Sequence, residues 1–205
     1  MTAGARRIVP IRDVSFAVPA GTISALVGRK GSGKAAIVRC ILGELRPATG
    51  RVEVLGLDPR RERRKLVRSV RFDEAEGALS IDTEPPSKLV VTDDPHRATG
   101  ADRVGFLVEG RLVLEEALPV LTARFRRIRY VNEMTETRAD FGNELDLFDA
   151  VRVRVRGWGV DAVVSNFDEM AFERFRATDG VRDARADPMS LEEIFTEIAG
   201  SLGRI

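Results

Sequence analysis

Apolar and polar positions along the N-terminal half form short blocks that predict both strands and helices. The run TISALV, residues 22–27, is apolar and contains β-branched residues, which is typical of a buried strand. The hairpin signal lies in RVGFLVEGRLVLEE, which predicts two strands about a turn at Glu109-Gly110, where glycine supplies the positive φ of a tight turn. In AAIVRCILGEL, helical spacing predicts a helix packed on a sheet, with its apolar positions at Ile37, Cys40, Ile41 and Leu45. These elements predict an α/β fold with a mixed sheet and an antiparallel β edge.

The last third of the chain has a different pattern. Valines and arginines alternate over residues 150–156, which predicts a strand with one apolar face and one face toward solvent or a partner. A turn at residues 157–159 leads into a second strand, and capping-box spacing at Asn166–Glu169 and Ser190–Glu193 predicts the starts of two helices. The order strand, strand, helix, strand, helix predicts a small C-terminal α+β appendage. We therefore expect the chain to be built from two domains, residues 1–126 and 127–205.

Five large apolar side chains of this appendage form two groups of candidates for packing or contact. Four large apolar side chains recur at helical spacing, and we expect them to lie in a core or an interface: Phe167, Met170, Phe172 and Phe175. Trp158 stands alone at the predicted hairpin tip. Because an indole ring combines a large apolar surface with a hydrogen-bond donor, Trp158 is the better candidate for a contact with a partner.

Composition excludes several classes of protein. No apolar run approaches the roughly 20 residues of a membrane helix, the N-terminus lacks the apolar core of a signal peptide, and the lone Cys40 excludes an internal disulfide, as expected in the cytoplasm. The net charge of +1 gives no general basic surface. The basic run at residues 58–68 has no aromatic residues for base stacking, and it predicts a solvated helix with Leu66 and Val67 on its buried side. We therefore expect no nucleic-acid partner and no direct membrane span.

Residues 28–34, GRKGSGK, carry the strongest chemical signal. Their G-x-x-x-x-G-K spacing, between a predicted strand and a predicted helix, is typical of a phosphate-binding loop. Glycines let the backbone fold around a polyphosphate with N–H groups pointing inward, and the helix N-terminus adds positive potential. Lys34 is one of four lysines among 33 basic residues, and we expect it to reach the β- and γ-phosphates. The predicted nucleotide-binding residues are Gly28, Arg29, Lys30, Gly31, Ser32, Gly33, Lys34, Ala35 and Ala36.

The residue after Lys34 is Ala35, where such loops have a serine or threonine whose hydroxyl ligates Mg²⁺. Loss of that hydroxyl leaves the backbone cradle in place. It weakens the hold on the metal ion that bridges the phosphates and neutralises charge during phosphoryl transfer. We therefore expect ATP as the cofactor and Mg²⁺ binding that is weak or absent.

Residues 11–72, IRDVSF through SVRF, resemble the N-terminal part of ABC transporter ATP-binding subunits. The likeness lies in the order of features: a strand pair in IRDVSFAVPAGTI, the phosphate loop, and a strand in PATGRVEVLGLDP. Later, ADRVGFLVEGRLVLEEALPVLTARF is similar to the terminal strands and following helix of that family. GVRDARADPMSLEEIF is similar to the C-terminal extension of its multidrug and ABC-2 export subgroup. The resemblance implies a P-loop NTPase-like fold and an adenine base held near the first strand, where Arg6 or Arg7 could stack on it.

The chain also departs from this family. Members carry a helical subdomain with an LSGGQ-like signature before the Walker B strand, whereas the nearest text here, GALSIDTEPPS at residues 77–87, is too short. Two alignments of KLVVTDDPH, residues 88–96, are open. In the first it is the Walker B strand, with Asp93 contacting Mg²⁺ through water and Asp94 as the general base. In the second it is the strand before the switch histidine, with Thr92 or Asp93 in place of that histidine. A solvated acidic turn before Pro95 is the third possibility.

In this family ATP is sandwiched between two subunits, the loop of one facing the signature motif of the other. A chain with a loop and no signature could complete only the site on its own loop, with a partner donating the missing motif. The resemblance therefore implies a degenerate subunit of a hetero-oligomeric export complex, cytoplasmic and peripheral at the inner face of the plasma membrane. Its partners would be an intact ABC ATPase paralogue or a membrane permease, and hydrolysis by this chain alone is not expected. The alternatives are a homodimeric ATPase, a stand-alone non-hydrolysing nucleotide-binding regulatory or structural protein, and a truncated product.

Overall fold

The computed structural model describes residues 10–132 and 143–201, without the side chains of residues 143, 144 and 146. The chain divides into two compact units, Met1–Leu118 and Pro119–Ile205. This division lies ahead of the boundary predicted at 126/127. No helix of the described residues is long and apolar enough to cross a bilayer.

The first unit contains a six-stranded mixed sheet. Its strands are β1 (Ile23–Val27), β2 (Val70–Asp73), β3 (Ala78–Ile81), β4 (Ser87–Thr92), β5 (Arg103–Val108) and β6 (Arg111–Ala117). Their order across the sheet is β2-β3-β4-β1-β5-β6. Strands β4, β1 and β5 are parallel, whereas β2, β3 and β6 pair antiparallel with their neighbours. The predicted mixed α/β sheet with an antiparallel edge is thus confirmed.

Helices of the first unit follow the predicted apolar periodicity only in part. Helix α1 (Lys34–Ile41) buries Ile37 and Val38 in the core that also contains Leu26 of β1 and Leu107 of β5. It ends at Ile41, so Leu45, predicted on its apolar face, lies beyond the helix. Helix α2 (Arg63–Leu66) buries Leu66. Val67 directly follows α2 and is 63% exposed, so the prediction that it is buried was wrong.

Strands predicted from the family pattern in two segments do not form. Residues 10–22 contain no strand, although Val14, Phe16 and Val18 pack on the core. Alternating apolar residues therefore reflect the burial of one side of this segment and not pairing with a neighbouring strand. In residues 51–57, pairing is limited to an isolated bridge between Val54 and Leu57, because Leu55 and Gly56 turn the backbone through positive φ.

The second unit is an antiparallel sheet with helices. Its elements are α3 (Leu118–Arg124, beginning at the boundary), β7 (Arg126–Asn132), β8 (Ala150–Arg156), β9 (Gly159–Val164), α4 (Glu169–Arg176), β10 (Val181–Pro188) and α5 (Leu191–Ser201). The strand order is β10-β7-β9-β8. From β8 onward, the observed order strand, strand, helix, strand, helix is the predicted one. The predicted α+β appendage is confirmed.

An aromatic cluster forms the core of this second unit. Phe172 and Phe175 of α4 are buried, and the Phe175 ring meets Tyr130 edge-on with 5.0 Å between centroids. Phe167 is partly buried against the same cluster. Met170 is 73% exposed on α4 and does not belong to this core, since it lies on the opposite side of the helix from Phe172.

Helix starts and the arginine face of β8 depart from the sequence pattern in detail. The box at Ser190 and Glu193 forms, but α4 is capped by Asp168, which accepts from the Ala171 N–H at 2.7 Å, and not by Asn166.

On β8, Arg152 is ion-paired with Glu197 of α5 at 2.9 Å. The arginine face predicted to meet solvent or a partner is therefore partly covered by α5, and Arg154 and Arg156 are its exposed members.

Candidate phosphate-binding site

The loop between β1 and α1, residues 28–33, lies at the carboxyl ends of the parallel strands. The Gly28 N–H donates to the Thr92 carbonyl at 3.1 Å, which ties the loop to the end of β4. A Cβ atom on Gly28 would lie 2.5 Å from both the Leu107 carbonyl oxygen and Ser32 Oγ. Gly33, at the start of α1, has φ 109°, a left-handed conformation that favours glycine. Gly31 also has a positive φ of 88°, so all three glycines of the loop stand where another residue would clash or be strained.

Backbone N–H groups at this loop are available to an anion. Within the described residues, the N–H groups of Gly31, Gly33, Lys34 and Ala35 have no hydrogen-bond acceptor. The last two belong to the first turn of α1, where intrahelical acceptors are absent by geometry, and that turn contains no acidic residue. A helix N-terminus with free N–H groups and no acidic residue in its first turn attracts phosphate oxygens.

Ser32 supplies a second polar group without a partner. Its residue is 6% exposed, and its Oγ has no hydrogen-bond partner among the described residues. Because a Cβ on Gly28 would meet this oxygen, the hydroxyl lies inside the curve of the loop. Buried hydroxyls are normally hydrogen-bonded, so an orphaned one inside an anion cradle fits a ligand that accepts from it.

Lys34 folds back over its own loop. Its Nζ donates to the carbonyl oxygens of Gly28 and Arg29, the latter at 3.1 Å. Partial burial lowers the pKa of Lys34 below its ordinary value, while the negative charge of Asp93 acts in the opposite direction. The ammonium group is thus held at the mouth of the cradle, on the carbonyl acceptors that a phosphate would replace.

The hairpin between β5 and β6 supports the loop from outside. The Gly110 N–H donates to the Ser32 carbonyl at 3.0 Å, and the Gly110 carbonyl accepts from the Arg12 N–H at 2.9 Å. Gly110 has the positive φ predicted for this turn, and Glu109 also has a positive φ, which was not predicted. Sequence reasoning did not connect the hairpin with the loop. The Glu109-Gly110 turn could have revealed this contact. Because β1 and β5 pair in parallel, the phosphate loop and this turn follow neighbouring strand ends.

Asp93 and Asp94 follow β4 at the same edge of the sheet and differ in their surroundings. Asp93 is exposed, and its charge acts on Lys34. Asp94 Oδ1 accepts from the His96 N–H at 3.0 Å and caps a 3₁₀ turn at Pro95–Ala98. That turn leads directly to β5. The assignments of Asp93 to metal and Asp94 to base catalysis stay predictions.

The donor set does not fit a magnesium site of the usual kind. Ala35 offers no side-chain oxygen, and no group of three or more His, Cys, Asp or Glu residues in the described ranges could hold a metal ion. The residues do fit a polyphosphate, because free N–H groups, the Ser32 hydroxyl and Lys34 converge on the loop. Arg6 and Arg7, the candidates for adenine stacking, lie outside the described residues.

The phosphate loop lies within a segment that matches a known protein family. Residues 11–79 match the family model of the ABC transporter. The first unit is similar to an ABC transporter ATP-binding domain over that range. Between the phosphate loop and β4, the described elements are α1, α2, β2 and β3, and residues 77–87 form β3 and the connection to β4.

Individual relatives match parts of the chain. The methionine import ATP-binding protein MetN of Bradyrhizobium diazoefficiens is 48% identical over 44 residues, which are 22% of this chain and 13% of that protein. MetN of Myxococcus xanthus is 42% identical over 57 residues, 28% of this chain and 17% of the relative. A ribose/galactose/methyl galactoside import ATP-binding protein of Agrobacterium fabrum is 30% identical over 110 residues, 52% of this chain and 22% of the relative. The matched segments thus span less than a quarter of each relative.

Proposed function

We propose that this chain is an ABC-transporter-type subunit that binds ATP on residues 28–36 and does not hydrolyse it alone. The observation that carries the proposal is the cradle itself: unpaired N–H groups at the loop and at the start of α1, with a buried, unpartnered Ser32 hydroxyl between them. Lys34, already drawn over the loop, would move from carbonyl oxygens to phosphate oxygens. Bound ATP would supply the negatively charged phosphate oxygens that these donors need as acceptors.

Absence of turnover follows from the side chains around the cradle. Ala35 cannot ligate a metal ion, and the Asp94 carboxylate is engaged by the His96 N–H at the start of the 3₁₀ turn. General acid–base groups typically contribute about 10²- to 10⁴-fold to a rate, so their loss suppresses turnover severely. A bound but unreacted nucleotide is suited to holding a subunit interface together.

The proposed setting is a hetero-oligomer with an intact ABC ATPase paralogue and a membrane permease, at the inner face of the plasma membrane. The resemblance of residues 180–195 to the ABC-2 export subgroup favours export, whereas the matched relatives are named as import ATP-binding proteins. Trp158, 59% exposed at the β8–β9 hairpin tip, is the proposed contact residue.

The experiment is purification of the tagged chain from its native host with ATP present, followed by identification of stoichiometric partners. We expect an intact ABC ATPase and a permease, and we expect their recovery to fall for Lys34→Ala. The reduction should not occur for Lys65→Ala, a matched change on α2. Recovery of the chain alone, with ATP bound, would favour the stand-alone regulatory protein. Accumulation of the substrate in cells lacking the chain indicates export, and loss of its uptake indicates import.

A further inference from the structure

The phosphate loop carries two cations beyond the lysine that its motif requires. Arg29 and Lys30 follow Gly28 directly, and both are exposed on the loop. Neither forms an ion pair with any described carboxylate, unlike Lys65, which pairs with Glu62, and Lys88, which pairs with Glu76. Arg64 and Arg68 near α2 are also exposed and unpaired, so what sets Arg29 and Lys30 apart is their place on the loop. Unpaired cations held together on one short loop repel each other unless an anion neutralises them.

The same loop is poor in oxygen ligands for a metal ion. Ala35 replaces the hydroxyl ligand, and the Asp94 carboxylate accepts from a backbone N–H of the 3₁₀ turn. Asp93 is the one acid whose charge acts on Lys34 among the described residues. The site is thus rich in positive charge where phosphates would bind and depleted of the groups that hold Mg²⁺.

Charge distinguishes the two forms of the ligand. Metal-free ATP carries about two more negative charges than its Mg²⁺ complex, because the bound ion is divalent, and Mg²⁺ gives up its waters reluctantly. A site with a good oxygen ligand for Mg²⁺ binds the Mg²⁺ complex more tightly. A site with extra cations and no such ligand gains more from the bare polyphosphate, since each charged hydrogen bond is stronger than a neutral one.

We propose that this loop selects the metal-free polyphosphate, with Arg29 and Lys30 supplying the positive charge that Mg²⁺ supplies in other loops. The inference rests on the proposed nucleotide binding and adds the form in which the ligand is bound. The unpaired N–H groups and the buried Ser32 hydroxyl hold the phosphate chain, while the two exposed side chains close over its outer oxygens. Magnesium then acts as a competitor that withdraws free ATP.

The test is calorimetry of the full chain with ATP, and separately with inorganic tripolyphosphate, in EDTA and in excess Mg²⁺. We expect the apparent Kd to rise about tenfold or more when Mg²⁺ is added. Arg29→Gln/Lys30→Gln should lose about tenfold or more in EDTA and little in Mg²⁺. Arg64→Gln/Arg68→Gln removes the same charge from the exposed segment around α2 and should leave both titrations unchanged.

Distinct results separate this inference from the proposed function. Tighter binding with Mg²⁺ than with EDTA, or an unchanged Kd in Arg29→Gln/Lys30→Gln, would overturn metal-free selection while leaving nucleotide binding intact. No heat with either probe in either buffer, from protein that is folded by circular dichroism, would overturn both. Equal losses in the Arg64→Gln/Arg68→Gln control would show that net charge and not the loop governs the effect, which also overturns the inference.

Discussion

The ammonium group of Lys34 donates a hydrogen bond to the carbonyl oxygen of Gly28, the first residue of its own loop. A second bond from the same group reaches the Arg29 carbonyl at 3.1 Å. These contacts give hydrogen-bond acceptors to a partly buried ammonium group. Its burial also lowers the pKa of Lys34. A phosphate that enters the cradle replaces both acceptors with charged oxygens, which are stronger partners for an ammonium group.

Lys34→Ala should therefore abolish ATP binding, because the variant retains the N–H cradle but lacks the ammonium group that meets the phosphates. Titration calorimetry with ATP up to millimolar concentration measures this. Lys65→Ala is the matched control, because Lys65 is exposed on α2 and pairs with Glu62. This variant should bind ATP with unchanged affinity. Equal affinity in Lys34→Ala and the unmodified chain would show that the ligand does not bind on this loop.

Ala35→Ser should strengthen Mg²⁺-dependent binding of ATP, because one oxygen ligand returns to a metal ion that keeps several waters. We expect no appreciable turnover from this change alone. Ala35→Val adds bulk without oxygen and serves as the control. Hydrolysis by Ala35→Ser at several turnovers per second, near typical enzyme rates, would mean that the remaining catalytic groups are in place.

Gly110→Val should weaken ATP binding as well as stability. Gly110 has φ 83°, and its N–H holds the Ser32 carbonyl, so a β-branched residue strains the turn that supports the loop. The left-handed conformation costs an L-residue about 1–2 kcal/mol, which chemical denaturation can measure. Gly157→Val, at the β8–β9 turn with φ 60°, is the control, which should lose stability and keep its affinity for ATP. If neither variant loses affinity for ATP, the hairpin does not support the binding site.

Local sequence patterns predicted the elements whose signals are self-contained. The strand before the loop, the Glu109-Gly110 turn and the Ser190–Glu193 box all depend on residues within a few positions of each other, and all three form. The strand predictions over residues 10–22 and 51–57 failed because strand formation needs a partner edge, which alternation of apolar residues does not reveal. The support of Ser32 by Gly110 was missed for a similar reason, since it arises from the pairing of β1 with β5.

Glu193 should make the stability of the chain pH-dependent. Its pKa is lowered, first by the hydrogen bond from the Ser190 N–H and then by the Ser190 hydroxyl and Arg127. A carboxyl with a lowered folded-state pKa stabilises the fold above its ordinary value of 4.5, and that contribution is lost as the pH falls through the lowered value.

Glu193→Gln should therefore show a smaller decline in free energy of unfolding between neutral and acidic pH than the unmodified chain. Ser190→Ala should cost about 1 kcal/mol at neutral pH, because the N-cap hydroxyl accepts from the Glu193 N–H. Urea denaturation across this pH range measures both. Identical pH profiles for Glu193→Gln and the unmodified chain would contradict the role of the box.

The most direct measurement of the central claim follows bound ATP and released phosphate together, for the purified chain at increasing protein concentration with Mg²⁺ present. The account predicts that ATP still binds, although more weakly than in EDTA, that Lys34→Ala abolishes this binding, and that no phosphate above background appears at any concentration. On the proposed degenerate-subunit account, self-association supplies no signature motif. Phosphate release that rises with protein concentration and disappears in Lys34→Ala would contradict the account, because it would make this chain a competent ATPase.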